Sequence, residues 1–217
     1  MAEAAKFETI LSDIRKRKFK PVYFLEGEES YFIDRISDTL EETVLEDHER
    51  DFNQVILYGK DSSVDEVVSN AKRFPMMAEY QLVLVKEAQM LDRLTADNDK
   101  NQLLAYLEKP LSSTVLVFCY KHKTLDKRTS FSKLIKKKAL LFSSKKLYDN
   151  NIPAWIISFV AKRSYKIKPD AANLIAEYLG NDLSKISNSL NKLILNVGST
   201  KVIDAALIER YIGISKD

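Results

Sequence analysis

At Val22 to Ile36 the chain reads VYFLEGEESYFIDRI: an apolar strand, a glycine turn and the start of a helix. An α/β nucleotide-binding protein carries its phosphate loop on this arrangement. The chemistry of such a loop takes several glycines, a lysine for the β- and γ-phosphates and a Ser/Thr hydroxyl for Mg²⁺. Here Gly27 stands alone and is followed by Glu28, Glu29 and Ser30, so two carboxylates sit where phosphate would be repelled. Only Gly27 and Gly59 precede Gly180, which leaves no glycine-rich cradle in that stretch. Gly59-Lys60 does not substitute, because Asp61 follows where Ser or Thr is needed. The pattern is a nucleotide-binding scaffold without its nucleotide chemistry, and it points to a protein that works through contacts.

Other chemical groups are sparse. The single cysteine, Cys119, excludes an intramolecular disulfide and fits a reducing cytoplasm. It falls inside an apolar run and reads as a small core residue. His48 and His122 are far apart, each among charged residues, and read as surface histidines. A structural zinc site needs several Cys/His ligands, so no metal and no cofactor is expected. No apolar run is long enough to span a membrane. The N-terminus, MAEAAKFETILSDIRKRK, has an amphipathic helical pattern with no signal-peptide core.

The 217 residues suffice for one large domain or two small ones. Apolar content is 45% and charged content 30%, an ordinary globular balance. The net charge of +3 hides an asymmetry. Glu26 to Glu66 holds 14 acids and three bases, whereas Lys121 to Lys146 holds ten Lys/Arg against Asp126. The acidic stretch reads as solvated helix faces. The basic stretch, with Lys127, Arg128, Lys133, Lys136, Lys137 and Lys138, is either a solvated face or a strip for phosphates.

Elements that must position these groups alternate regularly. Strand-like runs are VYFLE (Val22 to Glu26), FNQVILY (Phe52 to Tyr58), QLVLV (Gln81 to Val85), TVLVFCY (Thr114 to Tyr120) and ALLF (Ala139 to Phe142). The third and fourth are nearly continuous apolar, as strands buried on both faces should be. Helical stripes fill the gaps at Ile33/Ile36/Leu40/Val44, Val64/Val67/Val68/Ala71, Leu103/Leu104/Leu107 and Phe131/Leu134/Ile135. Ser63 and Glu66 form a capping box before the second. Five strands alternating with four helices predict a parallel sheet covered on both faces.

Near Ser143 the period changes, and no strand pattern follows. Asn151 is expected to cap a helix with Pro153 in its first turn. Pro169 starts another, which Gly180 ends. Asn181 or Asp182 caps a third, which Gly198 ends, and a fourth covers about Asp204 to Ile212 and stops at Gly213. The expected domains are therefore 1–143, α/β, and 144–217, a small all-α domain. The tryptophan-bearing stripe Trp155, Ile156, Phe159 and Val160 is expected in its core.

This layout is that of AAA+ proteins with a helical lid, and the residues carry a narrower resemblance. KPVYFLEGEESYFIDRI, AKRFPMMAEYQLVLVKEAQML, the TLDKR after the fourth strand, and PDAANLIAEYLGNDLSKISNSLNKL together resemble the delta subunit of the bacterial DNA polymerase III clamp loader. They cover essentially the whole chain, in order. The family implies a degenerate AAA+ domain, a lid and a C-terminal collar domain that assembles the loader pentamer. The chain stops about where the collar would begin, so the first two domains are expected here, the collar absent and the fragment monomeric.

In an ATPase of this layout an Asp-Glu pair follows the third strand, for Mg²⁺ and for activating water. Here Lys86-Glu87-Ala88 follows Leu82 to Val85. A lysine at the metal side repels the cation. Glu87 alone reads as a surface or helix-start carboxylate. The resemblance thus implies no hydrolysis by this chain, which would act as a component of a DNA-directed DNA polymerase holoenzyme. The motor subunits' intact phosphate loop is missing. So are the Ser-Arg-Cys motif and clustered zinc cysteines of the motor and delta-prime subunits.

The helix from Val64 is expected to run to about Phe74, where Pro75 breaks it. By themselves, Phe74, Met76 and Met77 read as residues capping the core beneath a helix end. The resemblance implies another role: two apolar side chains at this place enter a hydrophobic pocket on the sliding clamp. The matching residues are Met76 and Met77, with Phe74 assisting or in the core. The expected function is then to bind the clamp and open its ring, with the other loader subunits as partners and primed DNA as a further contact. Two alternatives stand beside it. A nucleotide-dependent phosphotransferase would bind ATP; a non-specific DNA-binding AAA+-like domain would bind DNA without the clamp through Lys136 to Lys138.

Overall fold

The structure is a computed structural model, and it describes residues 2–95, 102–197 and 201–212. It divides into two compact units, residues 1–146 and 147–217, which are taken in turn. The division falls three residues beyond the expected 143, because the fifth strand runs on to Ser144.

The first unit is built on a five-stranded sheet in the order β2-β3-β4-β1-β5. Its strands are β1 (Val22–Gly27), β2 (Gln54–Tyr58), β3 (Gln81–Lys86), β4 (Thr114–Lys121) and β5 (Leu140–Ser144), and every pairing is parallel. Helices α1 (Ala2–Arg15), α2 (Ser30–Thr43), α3 (Arg50–Asn53), α4 (Val64–Ala71), α5 (Gln102–Glu108) and α6 (Ser130–Lys138) fill the connections. Because side chains alternate along a strand, each central strand feeds two cores. Val22, Phe24, Val83, Val85, Leu116 and Phe118 pack under α4, α5 and α6. Tyr23, Leu25, Leu82, Leu84, Val115, Val117 and Cys119 pack under α1 and α2. All of these are essentially shut off from water, which is why the sequence shows continuous apolar runs. Burial pushes the Cys119 thiol up to about 12.

The start of β2 and the end of α4 differ from expectation. Phe52 and Asn53 close the short helix α3, so β2 begins only at Gln54. Helix α4 ends at Ala71, three residues before Phe74. Ser63 caps α4, accepting from the Glu66 amide.

The second unit holds α7 (Ile152–Ala161), α8 (Pro169–Leu179), α9 (Leu183–Asn196) and α10 (Ala205–Ile212). Its core is Ile156, Phe159, Val160, Ala171, Ile175, Leu183, Ile186, Leu190, Ile203 and Ile208. Trp155 lies beside it, half-buried, with its ring 5.1 Å from that of Phe159. Gly180 takes a left-handed φ of 66° at the end of α8, and Asp182 caps α9 by accepting from the Lys185 amide. Asn151 makes no such side-chain bond to α7. Two short parallel strands, β6 (Lys166–Ile167) and β7 (Val202–Ile203), also occur where the sequence shows no strand pattern. At two residues each they are too short for a period to register. Gly198 and Gly213 lie outside the described residues.

Candidate functional site

The loop after β1 is filled by the protein itself. Gly27 has a φ of 129°, and a Cβ there would stand 2.1 Å from the Ser144 carbonyl oxygen, so only glycine fits. Its amide donates to the Lys123 carbonyl at 2.9 Å, and the Glu28 amide donates to the Ser144 carbonyl at 3.2 Å. Glu29 turns its carboxylate onto the first turn of α2 and accepts from the Tyr31 amide at 3.2 Å. A helix start favours an anion; here the anion is a side chain. Behind the loop, buried Glu26 accepts from the Leu125 amide and from the Ser143 hydroxyl, each at 2.8 Å.

The ends of β3 and β4 carry two sets of ion pairs. The Lys86 ammonium lies 3.4 Å from a Glu41 oxygen. Lys121, which the sequence did not single out, bridges Asp34 at 2.8 Å and Glu87 at 3.2 Å. Glu87 precedes a short 3₁₀ turn with a left-handed φ of 52° and also accepts from Gln89. Burial works to raise the Glu87 pKa, but the bonds from Gln89 and Lys121 outweigh it and hold the carboxyl below its ordinary value. Burial likewise works to lower the Lys121 pKa, and Asp34 and Glu87 reverse that and raise it. Lys86 and Glu87 are thus engaged with protein partners.

The apolar segment after α4 has the opposite character. Phe74 is 74% exposed, Met76 55% and Met77 101%. They do not cap the core. They stand on a loop beyond the helix, and the loop is tied from beneath. Asn53, 2% exposed, accepts from the Met76 amide at 2.6 Å and donates to the Met76 carbonyl at 3.0 Å. Buried Gln81 places its side-chain amide 2.6 Å from the Arg73 carbonyl and 2.8 Å from the Thr114 hydroxyl. Thr114 donates in turn to the Ala71 carbonyl at 2.9 Å. The open carbonyls at the end of α4 are therefore satisfied by side chains from the first residues of β3 and β4. Pro75 fixes its own φ and restricts Phe74 to extended backbone.

Asn53, Gln81 and Thr114 were not recognised as functional in the sequence. The available signal was a polar residue at the mouth of an apolar run, in QLVLV and TVLVFCY, where a core strand has no solvent to bond it.

The basic stretch is partly neutralised. Arg128 is paired with Asp126 at 2.7 Å, and Lys138 with Glu108 at 2.8 Å. Lys127, Lys133, Lys136 and Lys137 are exposed, the last three on α6. No helix among the described residues is long and apolar enough to cross a membrane. No group of His, Cys, Asp and Glu among them could hold a metal ion.

The family model of the DNA polymerase III delta subunit matches residues 23–145, more than half of the chain. The chain belongs to the DNA polymerase III delta-subunit family. It is 25% identical over 198 residues to DNA polymerase III subunit delta of Bacillus subtilis (strain 168), a match covering 89% of this chain and 57% of that protein. The solved structure of the Bacillus subtilis DNA clamp loader delta protein (YqeN) superposes with a TM-score of 0.78 at 24% identity, over 96% of this chain and 63% of that one. The delta-family chain thus spans less than two thirds of the length of these two relatives. A variant of RuvB from Thermotoga maritima gives a TM-score of 0.50 at 12% identity, over 98% of this chain and 68% of that one. That likeness concerns the fold alone: an AAA+-like α/β domain followed by a helical domain.

Proposed function

We propose that this chain binds a sliding clamp through the tip Phe74, Met76 and Met77 and opens the ring by binding, without hydrolysing ATP itself. The observation that carries this is the tip: three large apolar side chains held in water on a loop tied at several points from below. Exposed apolar residues on a fixed base mark an interaction site. Burying each contributes roughly 1.5–3 kcal/mol, so three form a compact hot spot. Methionine's flexible thioether adapts to a partner pocket. In this reading the α/β domain docks on the clamp and the helical unit that follows is the lid. The other loader subunits are further partners.

Two features support an absence of hydrolysis. The loop at Gly27 gives its amides to protein carbonyls. The position after β3 holds an ammonium–carboxylate network in place of two free carboxylates. A titration of the chain with its cognate clamp, with and without ATP, tests the proposal. Tight binding that ATP does not change supports it. Binding that requires ATP, or ATP binding to the chain alone, favours a nucleotide-dependent activity instead.

A weaker, non-specific contact with primed DNA is proposed for Lys133, Lys136 and Lys137, exposed together on α6. Lys127 adds to it, whereas Arg128 and Lys138 are held by Asp126 and Glu108.

A further inference from the structure

We infer that Asn53 is the positioning residue of the docking tip, pre-setting the Met76-Met77 backbone in the conformation that engages the partner. This rests on the docking proposed above.

Asn53 lies 23 residues from Met76 in sequence, yet its side chain engages both polar groups of that residue's backbone: the amide at 2.6 Å and the carbonyl at 3.0 Å. Its amide nitrogen also donates to the Glu49 carbonyl at 3.0 Å, so the side chain is fixed to the residue just before α3 as well. An amide side chain that accepts and donates to one residue holds that residue as a strand partner would. Carboxylate, hydroxyl and alkyl replacements each lose at least one of the three bonds.

The next residue shows what the tie holds. Met77 has a left-handed φ of 54°, a conformation rarely taken outside glycine and asparagine and retained only where surrounding structure over-determines it. Its side chain makes no compensating burial, being 101% exposed. The cost of that backbone is carried by the residues just before it, Met76 through its two bonds to Asn53 and Pro75 through its fixed φ. Without the tie, the tip samples extended backbone. The apparent affinity then falls by the fraction of molecules that hold the competent form. Such a loss falls mainly on the association rate, because the contacts in the complex are unchanged.

The test compares the chain with Asn53→Ala, Asn53→Asp and the double change Met76→Ala/Met77→Ala. Each is checked for folding by circular dichroism and measured for clamp binding by surface plasmon resonance. Hydrogen exchange of the Met76 amide is followed in the free protein. Asn53→Ala is expected to remove protection at Met76 and to slow association about tenfold, with dissociation changed less than twofold. Asn53→Asp keeps the bond to the Met76 amide and is expected to fall between. It also serves where the alanine variant does not fold. Unchanged association and exchange in a folded Asn53 variant, with binding lost in the double methionine variant, overturns the positioning role and leaves the docking intact. Wild-type binding by the folded double methionine variant overturns the docking, and the positioning role with it.

Discussion

Lys121 shows at the scale of one residue how acidic side chains at the strand ends are held by the protein itself. Its ammonium pairs with Asp34 and Glu87 at once, so one cation is shared between two carboxylates at the strand ends. The folded Glu87 pKa is lowered. Its stabilisation is therefore full above the unfolded carboxyl value of about 4.3 and is lost as the pH falls through the lower folded value. Lys121 has a raised folded pKa, so its share is full below the unfolded lysine value of about 10.4 and is lost only as the pH rises through the folded value. Glu87→Gln is expected to flatten part of the fall in stability below about pH 4.3, while lowering stability at pH 7 by about 1 kcal/mol. Urea denaturation at pH 3.5 and pH 7 measures both; equal parallel losses at the two values would contradict the network. Cys119, with its pKa raised to about 12 by burial, is expected to resist a thiol reagent at pH 8 in the native protein and to react once unfolded. Rapid native labelling would place it at the surface.

At the scale of elements, the end of α4 depends on two side chains from the sheet beneath it. Gln81→Leu removes the bonds to Arg73 and Thr114 and leaves the part-buried Arg73 carbonyl without its side-chain donor. The expected loss is about 1–3 kcal/mol, read as a lower urea midpoint at unchanged slope. No change would mean that the helix end is held elsewhere. Most of this architecture was legible in the sequence, for a physical reason: strands buried on both faces must be apolar throughout, and α2, α4, α5 and α6 each had to bury a stripe. The tip was less so. Phe74, Met76 and Met77 have the composition of core, and the chain's local pattern does not record that α4 stops at Ala71. That end is fixed by Gln81 and Thr114, and the tip by Asn53, which meet them only through the fold. The same holds for Phe52, apolar enough to read as strand yet 63% exposed at the end of α3, and for β6 and β7, whose two-residue pairing leaves no pattern to read.

At the scale of the molecule, the chain separates two kinds of surface: an apolar tip and a basic helix. They answer to different conditions. Burial of apolar groups is nearly indifferent to moderate salt, whereas three lysine–phosphate contacts weaken on the order of 40-fold between 50 and 200 mM salt. Clamp affinity is therefore expected to change less than about threefold over that range, while any DNA affinity falls steeply. A clamp affinity that tracks the DNA affinity would move the docking surface to α6. The central claim is that the tip makes the contact. Its most direct measurement is the calorimetric affinity of the cognate clamp for the wild-type chain and for folded Met76→Ala/Met77→Ala. The double change is expected to lose about 100-fold in affinity, ~2.7 kcal/mol; equal affinities would contradict docking through the tip.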